Sequence, residues 1–162
     1  MKKELLKDLA KIGVCKTGKR YLYTTTQDLN TLIKIWKGWP EYWYEHSEYA
    51  IRLMRYCIDD IDKVILQKEN LYLDTEGMFE VGCGESVVFI VGSSNITMVM
   101  KEYTATKIYI FNDSKVKINC SSTSIVNVEA WNDSSVKIES GKGVVYIYVN
   151  ARACVNEPVS VV

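Results

Sequence analysis

The sequence predicts an α+β chain in which an N-terminal helical domain, residues 1–70, precedes a short parallel β-solenoid of about four coils, residues 71–162. Helical periodicity before residue 70 is one of the observations behind this reading. Period-two alternation afterwards is the second, and an internal repeat is the third. Asn112-Asp113-Ser114 recurs as Asn132-Asp133-Ser134, twenty residues on, and each tripeptide is followed two residues later by a valine. Hairpins in a sandwich would give strands of similar length, but only stacked coils make a sequence repeat itself, because equivalent residues pile into ladders.

The helical elements follow in order. Leu5, Leu6, Leu9 and Ile12 fall on one face of a first helix over 3–12. A second short helix is expected near Lys16–Leu22. Asp28 caps a third that carries Leu29, Leu32, Ile33 and Trp36, with Gly38 and Pro40 as its stop. From Glu41 the chain is rich in helix formers up to Asn70 and reads as one long helix or as two with a break near Asp59–Asp60. Trp36, Trp39, Trp43 and their tyrosine neighbours form an aromatic cluster suited to the core of a small helical domain.

From Leu71 short apolar alternations sit between Gly, Ser, Asn and Asp clusters, as strands between turns do. Ile108, Val128 and Ile147 make an inward ladder, continued by Cys120. Tyr109, Phe111, Trp131, Tyr146 and Tyr148 alternate with that ladder and should point outward, together with Lys117 and Lys137. A contiguous outward aromatic row is either an interaction surface or the place where the helices dock.

Composition narrows the function classes. The chain carries 20 Lys and Arg against 20 Asp and Glu, and neither half departs from neutrality by more than one charge. A duplex-binding protein needs a clustered cationic footprint, so direct nucleic-acid binding is disfavoured. No apolar run long enough to cross a membrane is present, and Lys7, Asp8 and Lys11 break the pattern of a signal peptide. Five widely spaced cysteines without a CxxC pair fit a reducing, cytoplasmic setting.

Candidate chemistry is sparse. Gly13–Arg20 nearly spells a phosphate-binding loop, but Arg20 replaces the metal-binding hydroxyl and the segment follows a helix where the motif requires a strand. His46 is the only histidine, which excludes histidine metal clusters. Cys57 lies eleven residues from it, too far along a helix for a hydrogen-bonded dyad. Asp59, Asp60 and Asp62 fit a helix N-terminus or a solvated turn better than a cation site or a glycosidase carboxylate pair. No catalytic residue, metal ligand or cofactor is therefore assigned.

The segments Gly13–Leu22 and Leu32–Ile58 resemble a small helical module of phage and prophage proteins, written loosely A-C-x-x-G-x-x-W-L…W…W, although Tyr21 stands where that module has tryptophan. FNDSKVKIN and WNDSSVKIE are similar to the V-x-A-y-D-S-S-T units that often accompany it. The resemblance implies a phage or mobile-element origin, action in the host cytoplasm and no enzymatic role. The expectation is a protein-interaction module that docks on a host or phage protein, possible forms being a counter-defence, anti-CRISPR-type inhibitor or a self-associating assembly component. The apolar tail after Pro158 adds the expectation of a homodimer, formed through the C-terminal coil or the Phe111/Trp131 row.

Overall fold

A computed structural model describes residues 29–38, 40–141, 143–149 and 154–156. The two expected N-terminal helices, the Gly13–Arg20 segment and the tail after Asn156 lie outside the described residues. The chain divides into two compact units, Met1–Pro40 and Glu41–Val162. In the first, helix α1 spans Leu29–Gly38 and buries Ile33 and Trp36. Trp39 and the side chain of Trp43 lie outside the described residues, so Trp36 alone represents the expected tryptophan cluster.

Helix α2 spans Pro40–Cys57, with proline at its first position, where a missing N–H costs nothing. It is kinked at His46, whose backbone (φ −131°, ψ 21°) leaves the helical region. Helix α3, Asp60–Lys68, begins at the expected break. Asp59 caps it by accepting from the Asp62 N–H at 2.8 Å, while the Asp62 carboxylate reaches back to the Asp59 N–H. The three carboxylates of this segment are thus a capping box and its first turn.

The solenoid follows: β1 Leu71–Leu73, β2 Glu76–Val81, β3 Gly84–Val91, β4 Asn95–Met100, β5 Thr104–Ile110, β6 Lys115–Cys120, β7 Ile125–Ala130, β8 Ser135–Gly141, β9 Val144–Val149 and β10 Cys154–Asn156. Odd strands form a front sheet in the order β1-β3-β5-β7-β9, even strands a back sheet β10-β8-β6-β4-β2, and every pairing is parallel. Each coil thus contributes one strand to each sheet.

Register stacks like on like. Val88, Ile108, Val128 and Ile147 form one inward ladder of the front sheet; Tyr72, Ile90, Ile110 and Ala130 form another. Facing them, Ile96, Val116 and Val136 stack in the back sheet beside Phe79, Met98, Ile118 and Ile138. Cys120 is buried in this core, as expected. A parallel sheet closed on both faces keeps such ladders dry.

The corners explain the repeat. Asp74, Gly92, Asn112 and Asn132 occupy the same corner in successive coils, and all four have positive φ, at 47°, 77°, 59° and 60°. Glycine, asparagine and aspartate are the residues that enter this left-handed region at least cost. Two residues further on, Ser94, Ser114 and Ser134 are buried. The Ser94 hydroxyl donates to the Val91 carbonyl at 2.9 Å, and that of Ser114 donates to the Gly92 carbonyl at 3.0 Å, one coil below. The Asn-Asp-Ser motif is therefore a corner, with asparagine turning the chain and a buried serine after it, which at Ser114 ties one coil to the next.

Candidate functional site

The outer face of the front sheet divides into a covered part and an open part. Strand by strand, Phe89, Tyr109, Glu129 and Tyr148 form one outward column, and Val87, Lys107, Asn127 and Tyr146 the next. Glu85, Ala105, Ile125 and Val144 form a third. Tyr44 of helix α2 lies against the first column at Tyr109 and Glu129. Tyr44 on α2 stacks on Trp131 with ring centroids 4.2 Å apart and approaches Tyr109 and Phe111 at 6.5 and 6.2 Å.

Polar contacts fix α2 at its middle and in its last turn. The Ser47 hydroxyl donates to Asn132 Oδ1 at 3.2 Å, on the fourth corner. Arg55 donates through Nε and Nη2 to the Asp74 carboxylate, both at 2.7 Å, on the first. Asp74 also accepts from the Ser93 N–H at 2.8 Å. The guanidinium's hydrogen bonds hold the Asp74 carboxyl below its ordinary pKa despite partial burial.

Nearer the start of α2, the Tyr44 hydroxyl donates to Glu129 Oε2 at 2.7 Å, and Lys107 Nζ lies 2.7 Å from Glu129 Oε1. The same ammonium sits 4.6 Å from the centroid of the Tyr109 ring. Burial opposes ionisation of Glu129, but the hydrogen bonds from Lys107 and Tyr44 outweigh it and keep the carboxyl below the usual range. Burial and the neighbouring Glu129 carboxylate push the Tyr44 phenol well above its ordinary value, so it stays a donor. Glu129, an outward residue in the sequence pattern, thus joins the helix to the sheet.

The seven residues expected on one interaction surface separate into three environments. Tyr109 and Phe111 point outward but are buried, Phe111 at 0% exposure, because Tyr44 and α2 lie over them. Trp131 is half-buried in its stack with Tyr44 and lies 5.9 Å from the Tyr148 ring. Tyr146 and Tyr148 are open, at 61% and 60% exposure. Lys117 and Lys137 are register partners on the back sheet, where both face Glu139, at 3.6 and 3.2 Å. They share no face with the tyrosines. Tyr44 of α2 lies against both Phe111 and Trp131 of the expected row.

The end of the front sheet is open as well as the outer column of its earlier strands. Ile125 and Val144, stacked neighbours, are each 48% exposed. Tyr146 and Tyr148 border a groove of about 560 Å³ whose floor carries Lys107, Asn127 and Glu129. The sequence pattern placed the tyrosines outward, but Ile125 and Val144 were missed. Their signal was present, since each opens an apolar strand directly after a polar corner.

Among the described residues no cluster of His, Cys, Asp and Glu could hold a metal ion, and no helix is long and apolar enough to cross a membrane. Cys83 and Cys120 are free thiols, the first exposed and the second buried. No family model, curated protein or solved structure matches the chain.

Proposed function

We propose that the chain is a non-enzymatic protein-interaction module whose docking face is the open end of the front sheet, centred on Ile125 and Val144 and bordered by Tyr146. The observation that carries this reading is the contiguity of these exposed apolar side chains on a rigid, laddered surface, clear of the column that α2 covers. Exposed apolar residues gathered in one place, with polar groups around them, mark interaction sites more often than scattered ones do. The near balance of charge favours a protein partner over nucleic acid.

The sequence resemblance of the corner repeats and of the helical segment adds the setting: a phage-derived protein acting in the host cytoplasm. One concrete form is a counter-defence, anti-CRISPR-type inhibitor that seats this face on a host complex. The alternative, an assembly component that associates with itself, is favoured by one specific observation, the uncharged strand at the end of the front sheet.

Affinity purification from expressing cells, comparing the natural chain with Ile125→Lys, tests the docking reading. Ile125 is half-exposed at the start of β7, so lysine there is accommodated without loss of fold. Recovery of a host complex with the natural chain and its loss with Ile125→Lys supports the reading. Equal recovery with both removes the face from consideration.

A further inference from the structure

The two ends of the solenoid are finished differently. At the first coil, β1 is buried along its whole length, with α3 packed beside it, and the outer edge of β2 carries Glu76 and Glu80. Charge and cover are the usual means by which proteins keep a strand edge from pairing. At the last front-sheet coil neither is found among the described residues. Strand β9 reads Val144-Val145-Tyr146-Ile147-Tyr148-Val149, without charge, proline or bulge, and among the described residues no strand lies beyond it. Each earlier strand of that sheet from β3 on holds a charged residue: Glu85, Lys107 and Glu129.

The core is also unfinished at this end. On the front sheet the inward rungs of β7 are buried and those of β9 above them are not. Val126 is buried and Val145 only partly so; Val128 is buried and Ile147 only partly so. Ala130 is at 0% exposure, whereas Val149, its register partner, is at 38%. Apolar rungs left half in water gain free energy from whatever strand completes the stack.

We infer that the far edge of β9 pairs with β9 of a second copy of this chain, antiparallel, about a two-fold axis through Ile147. An isologous contact must be self-complementary, and this strand meets that condition. A register centred on Ile147 sets Tyr146 against Tyr148 of the partner subunit twice over, on the outer face. The same register sets Val145 against Val149 of the partner subunit on the inner face. Aromatic cross-strand pairs stabilise antiparallel strands, and no like charges oppose each other because the strand has none. The pairing continues the coil-on-coil interface already built at β7 and β9, and an antiparallel edge on a parallel sheet is a common arrangement. A six-residue strand pair is a small interface, so the dimer dissociates in the micromolar range. Ile125, on β7, stays clear of the paired edge, while Val144 and Tyr146 of the proposed docking face lie on the pairing strand itself.

Sedimentation velocity on the full chain over a concentration series tests this, with charge-swapped variants at exposed positions. The natural chain is expected to show a reversible monomer–dimer equilibrium. Tyr146→Lys with Tyr148→Lys, and separately Tyr146→Glu with Tyr148→Glu, are each expected to be monomeric with an unchanged melting temperature. An equimolar mixture of the two is expected to recover a dimer, since lysine then faces glutamate at both pairs. A natural chain that stays monomeric throughout overturns the inference and leaves the edge for a strand of another protein. A dimer that survives in the lysine variant overturns the strand assignment.

Discussion

Gly92→Ala tests the corner that the repeat rests on. Gly92 has φ +77°, a conformation that costs an L-residue other than asparagine or aspartate about 1–2 kcal/mol. An added Cβ would also sit inside van der Waals contact of Asp74 Oδ1 and 3.1 Å from Asp74 Cγ, and so would displace the carboxylate that receives Arg55 and the Ser93 N–H. Because Arg55 is half-exposed, the disturbed ion pair adds about 1 kcal/mol at most. The expected loss is therefore about 1–3 kcal/mol, or roughly 1 M in the urea midpoint for a domain of this size. Two companions separate strain from clash. Gly92→Asn removes most of the backbone strain but keeps the clash, and should lose about half as much. Asn112→Gly, at the equivalent corner one coil on, should change stability by less than about 0.5 kcal/mol, since Asn112 Oδ1 has no hydrogen-bond partner to lose. Far-UV circular dichroism against urea reads all three. Equal midpoints for Gly92→Ala and Asn112→Gly would refute the reasoning.

Further outcomes follow from the same contacts. Val128→Asp puts a charge between Ile108 and Ile147 at a position 1% exposed, and should cost several kcal/mol; a melting temperature within a few degrees of the natural chain would disprove the inward ladder. Tyr44→Phe keeps the ring stack on Trp131 and loses the hydrogen bond to Glu129, so a thermal melt should show about 1 kcal/mol of destabilisation, and Tyr44→Ala distinctly more. Asp74 has a lowered folded-state pKa, so its contribution is complete above the unfolded value of about 3.9 and is lost as pH falls through the folded one. Comparing urea midpoints of the natural chain and Asp74→Asn at pH 7 and pH 3, the gap between them should narrow at the lower pH; a constant gap would show that Arg55 does not depend on that charge.

The solenoid was legible because its rules are local and repeated. Alternation named Ile108, Val128 and Ile147 as one ladder, and the twin Asn-Asp-Ser tripeptides revealed the coil length. Two further members of the corner series, Asp74 and Gly92, escaped notice because the constraint is a backbone conformation that different residues can satisfy. The break between α2 and α3 was readable from its aspartates, which cap a helix through local geometry. The division of the aromatic row was not readable. Whether Tyr109 and Phe111 meet solvent depends on where a helix 65 residues earlier in the chain lays Tyr44, and that is a long-range packing choice with no local signature. Glu129 likewise has the look of a solvated strand residue until Tyr44 and Lys107 are seen to hold it. The set Lys117 and Lys137 was assigned outward correctly, but alternation cannot say which of two sheets an outward residue belongs to.

The span of α2 has a consequence for how this protein can change. Between its contacts at Ser47 and Arg55 the helix rises about 12 Å, and the corners it grips, Asn132 and Asp74, are three coil spacings, about 14 Å, apart. Helix and stack are therefore measured against each other, like a rule laid beside a pile of plates. Inserting or deleting a coil between Asp74 and Asn132 would pull one hand of α2 off its corner. A coil added after Asn132 would leave both grips intact and carry the terminal face about 4.8 Å outward. Length variation among descendants of this chain should accordingly be confined to the far side of Asn132, where the reach of the end face can be altered without disturbing the body that presents it.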